Sequence, residues 1–267
     1  MKKLIKGVAI SCAIASALAV ALHVRAGGEK VAFPEGFEKG VVYASLDRHD
    51  VKRFHELYTS QEVVDAVRKG LPVPNGTVLI LVQHKAKVDD KGMPVRGADG
   101  RFVKDGIVAY GVMEKRGGWG TEYPDSFRNG NWEYQSFSAD RKVNEKANLR
   151  SCFDCHKPHE KQDFVISLAS LSGTFPTGRV AAKPGPSSVS IAEFLFGPEK
   201  VTAKVGQPIT WTNVDDSPHQ VTLRSNGART PVLLKGQSTT LTFNEAGTID
   251  YICGLHPNMK GKIEVTQ

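Results

Sequence analysis

Two short stretches of this chain concentrate side chains that bind transition metals. Cys253-Gly-Leu-His256-Pro-Asn-Met259 gathers a thiolate, an imidazole and a thioether within seven residues, and His219 supplies a second imidazole from upstream. A thiolate with two imidazoles favours copper, and a thioether adds a weak axial bond. His219, Cys253, His256 and Met259 are therefore the predicted ligands of one copper ion, with zinc as the competing metal. The second stretch is Cys152-Phe-Asp-Cys155-His156. This spacing attaches a c-type haem through two thioethers and supplies His156 as the axial imidazole to iron. A redox dithiol is the competing reading, but the histidine directly after Cys155 and the lack of a βαβ pattern count against it.

The cysteine usage agrees with both assignments. The chain has 267 residues and four cysteines. Cys12 falls in an N-terminal segment that reads as an export signal: Lys2, Lys3 and Lys6, then an apolar run from Gly7 to Leu22, then Val24-Arg25-Ala26. Cleavage after Ala26 would leave three cysteines, all in cofactor spacings. Exported proteins otherwise spend cysteines on disulfides. The run is short and alanine-rich for a membrane span, so a periplasmic protein without a membrane anchor is expected. The whole chain carries a net charge of +7. Residues 1–26 hold four of the 35 Lys+Arg and none of the 28 Asp+Glu, which leaves +3 for the remainder. That is mildly basic and gives no argument for nucleic acid.

The elements that must position these residues fall into two units. Residues 178–190, rich in small residues with two prolines, read as a linker. It separates a haem domain (27–177) from a copper domain (191–267). In the haem domain Ser60 should cap a helix with Val63, Val64 and Val67 on its apolar face, ended by Gly70. Residues 77–82, 107–113 and 132–137 read as strands, and a short helix ended by Pro158 should carry Cys152 to His156. The copper domain should be all β, with short strands at 191–196, 201–205, 209–212, 219–223, 238–243 and 247–252. The fold class expected is therefore an α+β, β-rich haem domain followed by an all-β Greek-key sandwich.

Asn213-Val-Asp-Asp-Ser-Pro-His219 and Tyr251-Ile-Cys253-Gly-Leu-His256-Pro-Asn-Met259-Lys-Gly261 resemble the cupredoxins, most of all amicyanin and its plastocyanin and pseudoazurin relatives. The resemblance implies a blue, type 1 copper centre. Gly76-Thr-Val-Leu79, Asn131-Trp-Glu-Tyr-Gln-Ser-Phe137 and the haem motif followed by Asp163-Phe-Val165 resemble the cytochrome P-460 family and its relatives, the β-sheet cytochromes c-prime. One branch of that family links a strand lysine to the haem edge and oxidises hydroxylamine. The other has an apolar pocket and binds gases such as nitric oxide. The deciding residue would be Lys85, or failing that Lys87. Alternation puts both on the face of Leu79 and Leu81.

Oxidation of hydroxylamine also needs a base near the substrate. Glu160, four residues after His156, is the candidate, while His159 reads as a surface residue. Phe54 and Phe102 are candidates for the pocket lining, and Arg48 and Arg53 for contact with a polar substrate. His49, His55 and His84 have no ligand spacing and receive no role. The expected activity is hydroxylamine oxidation to nitric or nitrous oxide at Lys85-linked haem, with electrons leaving through copper. Partners would be a small nitrogenous substrate or gas and a soluble redox carrier such as a cytochrome c or a cupredoxin, and a homo-oligomer is compatible with this reading. Two alternatives stay open: a gas-binding protein without turnover, and an electron relay in which Met113 or a histidine fills the sixth iron position.

Overall fold

The computed structural model describes residues 30–173 and 187–267. The export segment and most of the linker lie outside these residues.

The first domain is a five-stranded antiparallel meander. Its strands are β1 (Val41–Arg48), β2 (Arg53–Thr59), β3 (Val78–Ala86), β4 (Lys104–Lys115) and β5 (Trp132–Ser138), paired in chain order. Both faces are apolar, because period-2 alternation sends side chains to two separate cores. Ile80, Val82, Tyr110, Val112 and Phe137 meet the N-terminal segment around Val31 and Phe33. Leu79, Met113, Trp132 and Tyr134 face the helical side instead. There α1 (Gln61–Arg68) buries Val63, Val64 and Val67 as its spacing predicts. The haem motif lies on α2 (Arg150–His156), followed by a 3-10 turn over Lys157–Gln162 and by α3 (Leu168–Ser172). The domain thus opens with a strand hairpin, β1–β2, where the sequence reading begins at the helix.

The second domain is a sandwich of two four-stranded sheets. Its strands are β6 (Ser188–Ala192), β7 (Leu195–Gly197), β8 (Lys200–Lys204), β9 (Pro208–Asn213), β10 (Val221–Leu223), β11 (Ser238–Thr242), β12 (Gly247–Cys253) and β13 (Lys260–Thr266). One sheet runs β10-β12-β13-β8 and the other β11-β9-β6-β7. Trp211, Tyr251, Ile191, Ile209 and Ile263 fill the space between them. Three details depart from the expected pattern. Strand β6 opens at Ser188, inside the stretch assigned to the linker. The strand expected at 191–196 is a hairpin, broken where Glu193 and Phe194 adopt left-handed φ of 51° and 58°. A last strand, β13, follows the ligand loop and pairs with β12 and, in parallel, with β8.

Candidate functional site

The copper cluster is assembled by β12 and the segments around it. Cys253 ends β12 and is fully buried. Its Sγ lies 3.6 Å from His219 Nδ1 and 3.6 Å from His256 Nδ1, and the two ring nitrogens are 3.3 Å apart. Met259, 1% exposed, is held beside them: its carbonyl accepts from the Cys253 N–H at 3.1 Å, and its own N–H donates to the His256 carbonyl at 2.9 Å. Burial pushes the Cys253 thiol up, but hydrogen bonds from His219 and His256 outweigh it and bring the thiol down to about 5. The cluster is thus prepared as a thiolate, the form that binds metal. The donor set fits copper by its chemistry: one thiolate, two imidazoles and a buried thioether.

Behind this cluster stands Asp215. Its carboxylate lies 2.9 Å from His219 Nε2, which fixes the ring so that Nδ1 faces the thiolate. The same carboxylate accepts the backbone N–H groups of Glu193 at 2.6 Å and Phe194 at 2.9 Å. It therefore stabilises the hairpin tip whose left-handed residues carry a conformational cost. Phe194 packs on both copper histidines, with ring centroids 5.2 Å from His219 and 4.8 Å from His256.

The haem motif faces a cavity of about 570 Å³. One wall is α2 with Cys152, Cys155 and His156. The floor is the sheet, where Leu57, Leu79, Leu81, Gly111 and Met113 line the space. His156 Nδ1 lies 2.6 Å from the carbonyl oxygen of Phe164 and donates to it, which leaves Nε2 for a metal. That carbonyl is turned back by two left-handed residues, Asp163 and Phe164, with φ of 53° and 60°. An ion pair of Asp163 with Lys115 at 2.7 Å anchors the turn. Burial lowers His156 to about 4, so the imidazole is neutral as an axial ligand requires. Tyr134 packs on its ring at 5.0 Å. Two thiols and one neutral imidazole on a single wall of an apolar cavity fit a covalent haem.

The roof of the cavity is the copper domain. Phe194, Val214, Asp215, Leu255 and the copper ligand His256 line the same space as the haem motif. The guanidinium of Arg48 sits 3.7 Å above the Phe194 ring, and His49 lies 3.3 Å from Glu193. The predicted haem and copper residues thus converge on one place.

The two predicted catalytic side chains do not reach it. Alternation does carry Leu79 and Leu81 to the floor, but Lys85 lies beyond the cavity's end. Its side chain is 63% exposed, with Nζ 3.7 Å from Asp105. Lys87 is exposed as well. Glu160 is exposed and borders a separate hollow near Val67 and Lys115, because the 3-10 turn after Pro158 swings it outward. His159, expected at the surface, is 3% exposed. Phe54 and Phe102 pack with Ala86 in a small cluster of their own, away from the cavity. Arg48 lines the cavity, whereas Arg53 donates to Gln83. His55, to which the sequence reading gives no role, lines it too.

The comparison with known proteins agrees with this division. Residues 34–167 match the family model described as cytochrome P460. The chain belongs to the cytochrome P460 family. Residues 164–265 match the model of a cupredoxin-like domain. The chain is 36% identical over 113 residues to amicyanin-alpha of Methylorubrum extorquens, covering 38% of this chain and 95% of that protein. It is 34% identical over 106 residues to amicyanin of Paracoccus denitrificans, covering 38% and 81%. Plastocyanin of Scenedesmus fuscus is 32% identical over 99 residues, covering 32% and 98%. This P460–cupredoxin chain is a haem and copper redox protein. No helix among the described residues is long and apolar enough to cross a membrane.

Proposed function

We propose that this protein binds a small nitrogenous gas such as nitric oxide at a c-type haem whose iron exchanges single electrons with a type 1 copper centre. The observation that carries the reading is the shared cavity: Cys152, Cys155 and His156 form one wall and the copper ligand His256 is part of the roof. Haem supplies an iron position for a diatomic ligand and copper a one-electron store. Leu57, Leu79 and Leu81 offer an apolar surface that excludes water, and His156 holds a fixed axial nitrogen. Phe194 and His256 stand between the cavity and the copper cluster. The apolar floor, with Lys85 and Lys87 both exposed beyond it, favours gas binding over a lysine-linked haem that oxidises hydroxylamine. The export segment supports a periplasmic site of action. The likeness to amicyanin and plastocyanin supports a soluble redox carrier as partner.

The test is photochemical. Light-triggered release of carbon monoxide from half-reduced protein should bleach the copper band at a rate independent of protein concentration. A rate proportional to concentration would refute direct exchange. Peptide mapping should find haem on Cys152 and Cys155 with unmodified Lys85 and Lys87 peptides, and a lysine-linked haem would restore the hydroxylamine reading.

A further inference from the structure

The carbonyl that receives the His156 Nδ1–H belongs to Phe164, and its direction depends on two consecutive left-handed residues, Asp163 and Phe164. Neither is glycine, so the turn carries a conformational cost and persists only where its surroundings impose it. Its backbone bonds do not tie it to the sheet. The Asp163 N–H donates to the Glu160 carbonyl at 3.1 Å, the Phe164 N–H to that of His159 at 2.8 Å and the Val165 N–H to that of Gln162 at 3.1 Å. All three acceptors lie on the stretch leading into the turn and would move with it. The side chains of the turn do reach outward. The Phe164 ring is buried beside Gly130, where a Cβ would stand 3.0 Å from it. The Asp163 carboxylate is held by Lys115, the last residue of β4.

Lys115 is itself fixed on both sides. Its N–H donates to the Thr77 carbonyl at 2.9 Å, and its carbonyl accepts from the Gly76 N–H at 2.6 Å. Its Nζ is shared between Asp163 at 2.7 Å and the Val73 carbonyl at 2.8 Å. Lys157, on the stretch before the turn, donates elsewhere, to the carbonyls of Asp125 and Arg128. We infer that Lys115 is a positioning residue for the axial ligand of the haem iron. Through Asp163 it holds the Phe164 carbonyl against the His156 Nδ1–H, and so sets how strongly that imidazole donates through Nε2. This rests on the assignment of His156 as the axial ligand of a c-type haem. An imidazole whose N–H is held by a carbonyl is the more basic ligand, which favours ferric iron over ferrous. Without the ion pair the left-handed turn relaxes, the carbonyl leaves the ring, and that bias is lost.

The test compares Lys115→Met, Asp163→Asn and the double variant as full-length holoproteins. It reads the haem reduction potential and the iron–histidine stretch of the ferrous haem in resonance Raman spectra. Charge alone would drive the two single variants apart, since deleting a cation near the iron lowers the potential and deleting an anion raises it. Loss of the held carbonyl raises it in both. The expected result is a raised potential in each, with the double variant between them. The ferrous-to-ferric ratio at a fixed applied voltage should grow about fivefold to tenfold, the loss of one hydrogen bond. The iron–histidine stretch should move to lower frequency in all three, and Lys115→Arg, which keeps the ion pair, should restore it. The blue copper band and the haem content, unchanged throughout, report an intact fold. A stretch that stays put in both single variants overturns the inference, whatever the potentials do. An iron–histidine band that survives His156→Gly would instead remove the ligand assignment on which it rests.

Discussion

The two metal centres are built on opposite plans. The copper donors already converge within 3.3–3.6 Å, and a carboxylate behind them fixes the ring of His219. The haem centre is a set of walls around a space, with the neutral imidazole of His156 on one side and the leucines of the sheet on another. The copper site is thus a property of the polypeptide, made by a strand end and a short loop. The haem site is completed by its cofactor. A rigid cluster suits electron exchange with little rearrangement, whereas an open apolar cavity suits a ligand that comes and goes.

Four changes should break or sharpen this contrast. The largest effect is expected from Cys253→Ser, which should abolish the thiolate-to-copper absorption while the haem spectrum and thioether content stay unchanged. Loss of haem in that variant would mean that the two centres are not separately built. Next, Asp215→Asn should keep the blue colour but weaken copper binding about tenfold to a hundredfold, measured by chelator competition, because the carboxylate behind His219 is lost. An unchanged affinity would make the copper loop self-sufficient.

A smaller effect concerns the contact between domains. Arg48→Ala removes the guanidinium from the Phe194 ring, worth about 0.5–1 kcal/mol. It should slow concentration-independent bleaching of the copper band about two- to fivefold with both resting spectra intact. An effect of a different kind is on acid stability. His55 is neutral in the folded state and titrates near 6.5 when unfolded. Its folded value is depressed, so the unfolded chain binds the extra proton between about pH 6.5 and 3, and stability falls as the pH drops through that window. His55→Gln should flatten the fall by about 1–2 kcal/mol between pH 6.5 and 5, read by denaturant unfolding. A curve identical to the wild type would place the histidine in water.

How far the sequence could be read follows from the same contrast. The copper ligands, the haem motif, α1 and the core strands β3, β4 and β5 announce themselves, because local spacing and apolar runs determine them. The hairpin β1–β2 does not. Its turn, His49–Lys52, contains neither Gly nor Pro, and only Lys52 takes a left-handed φ. Its strands mix Asp47, Arg48, Arg53, His55 and Glu56 with apolar residues, because both sides of the hairpin meet charged partners. Hence His55 looked like a stray histidine. Strand β13 was hidden by Gly261, which reads as a break. In the fold the Tyr251 ring lies so close that a Cβ there would approach it to 2.2 Å, and only glycine fits. Glu193-Phe194 gave no turn signal either, since the stabilising carboxylate lies more than twenty residues away at Asp215. Lys85 follows the alternation but outruns the cavity, a matter of length along β3 that parity alone does not encode.

The roof over the haem cavity has one more consequence. A free copper carrier shuttles, and the number of carriers near a haem depends on how many are made. Here each haem owns one copper, so the pair holds one electron at each metal and no more. Any exchange beyond that needs an outside protein, which must approach while the Phe194 side of the copper cluster is already taken. A visitor to the copper loop is then left what stays uncovered around the exposed Pro257 and Asn258.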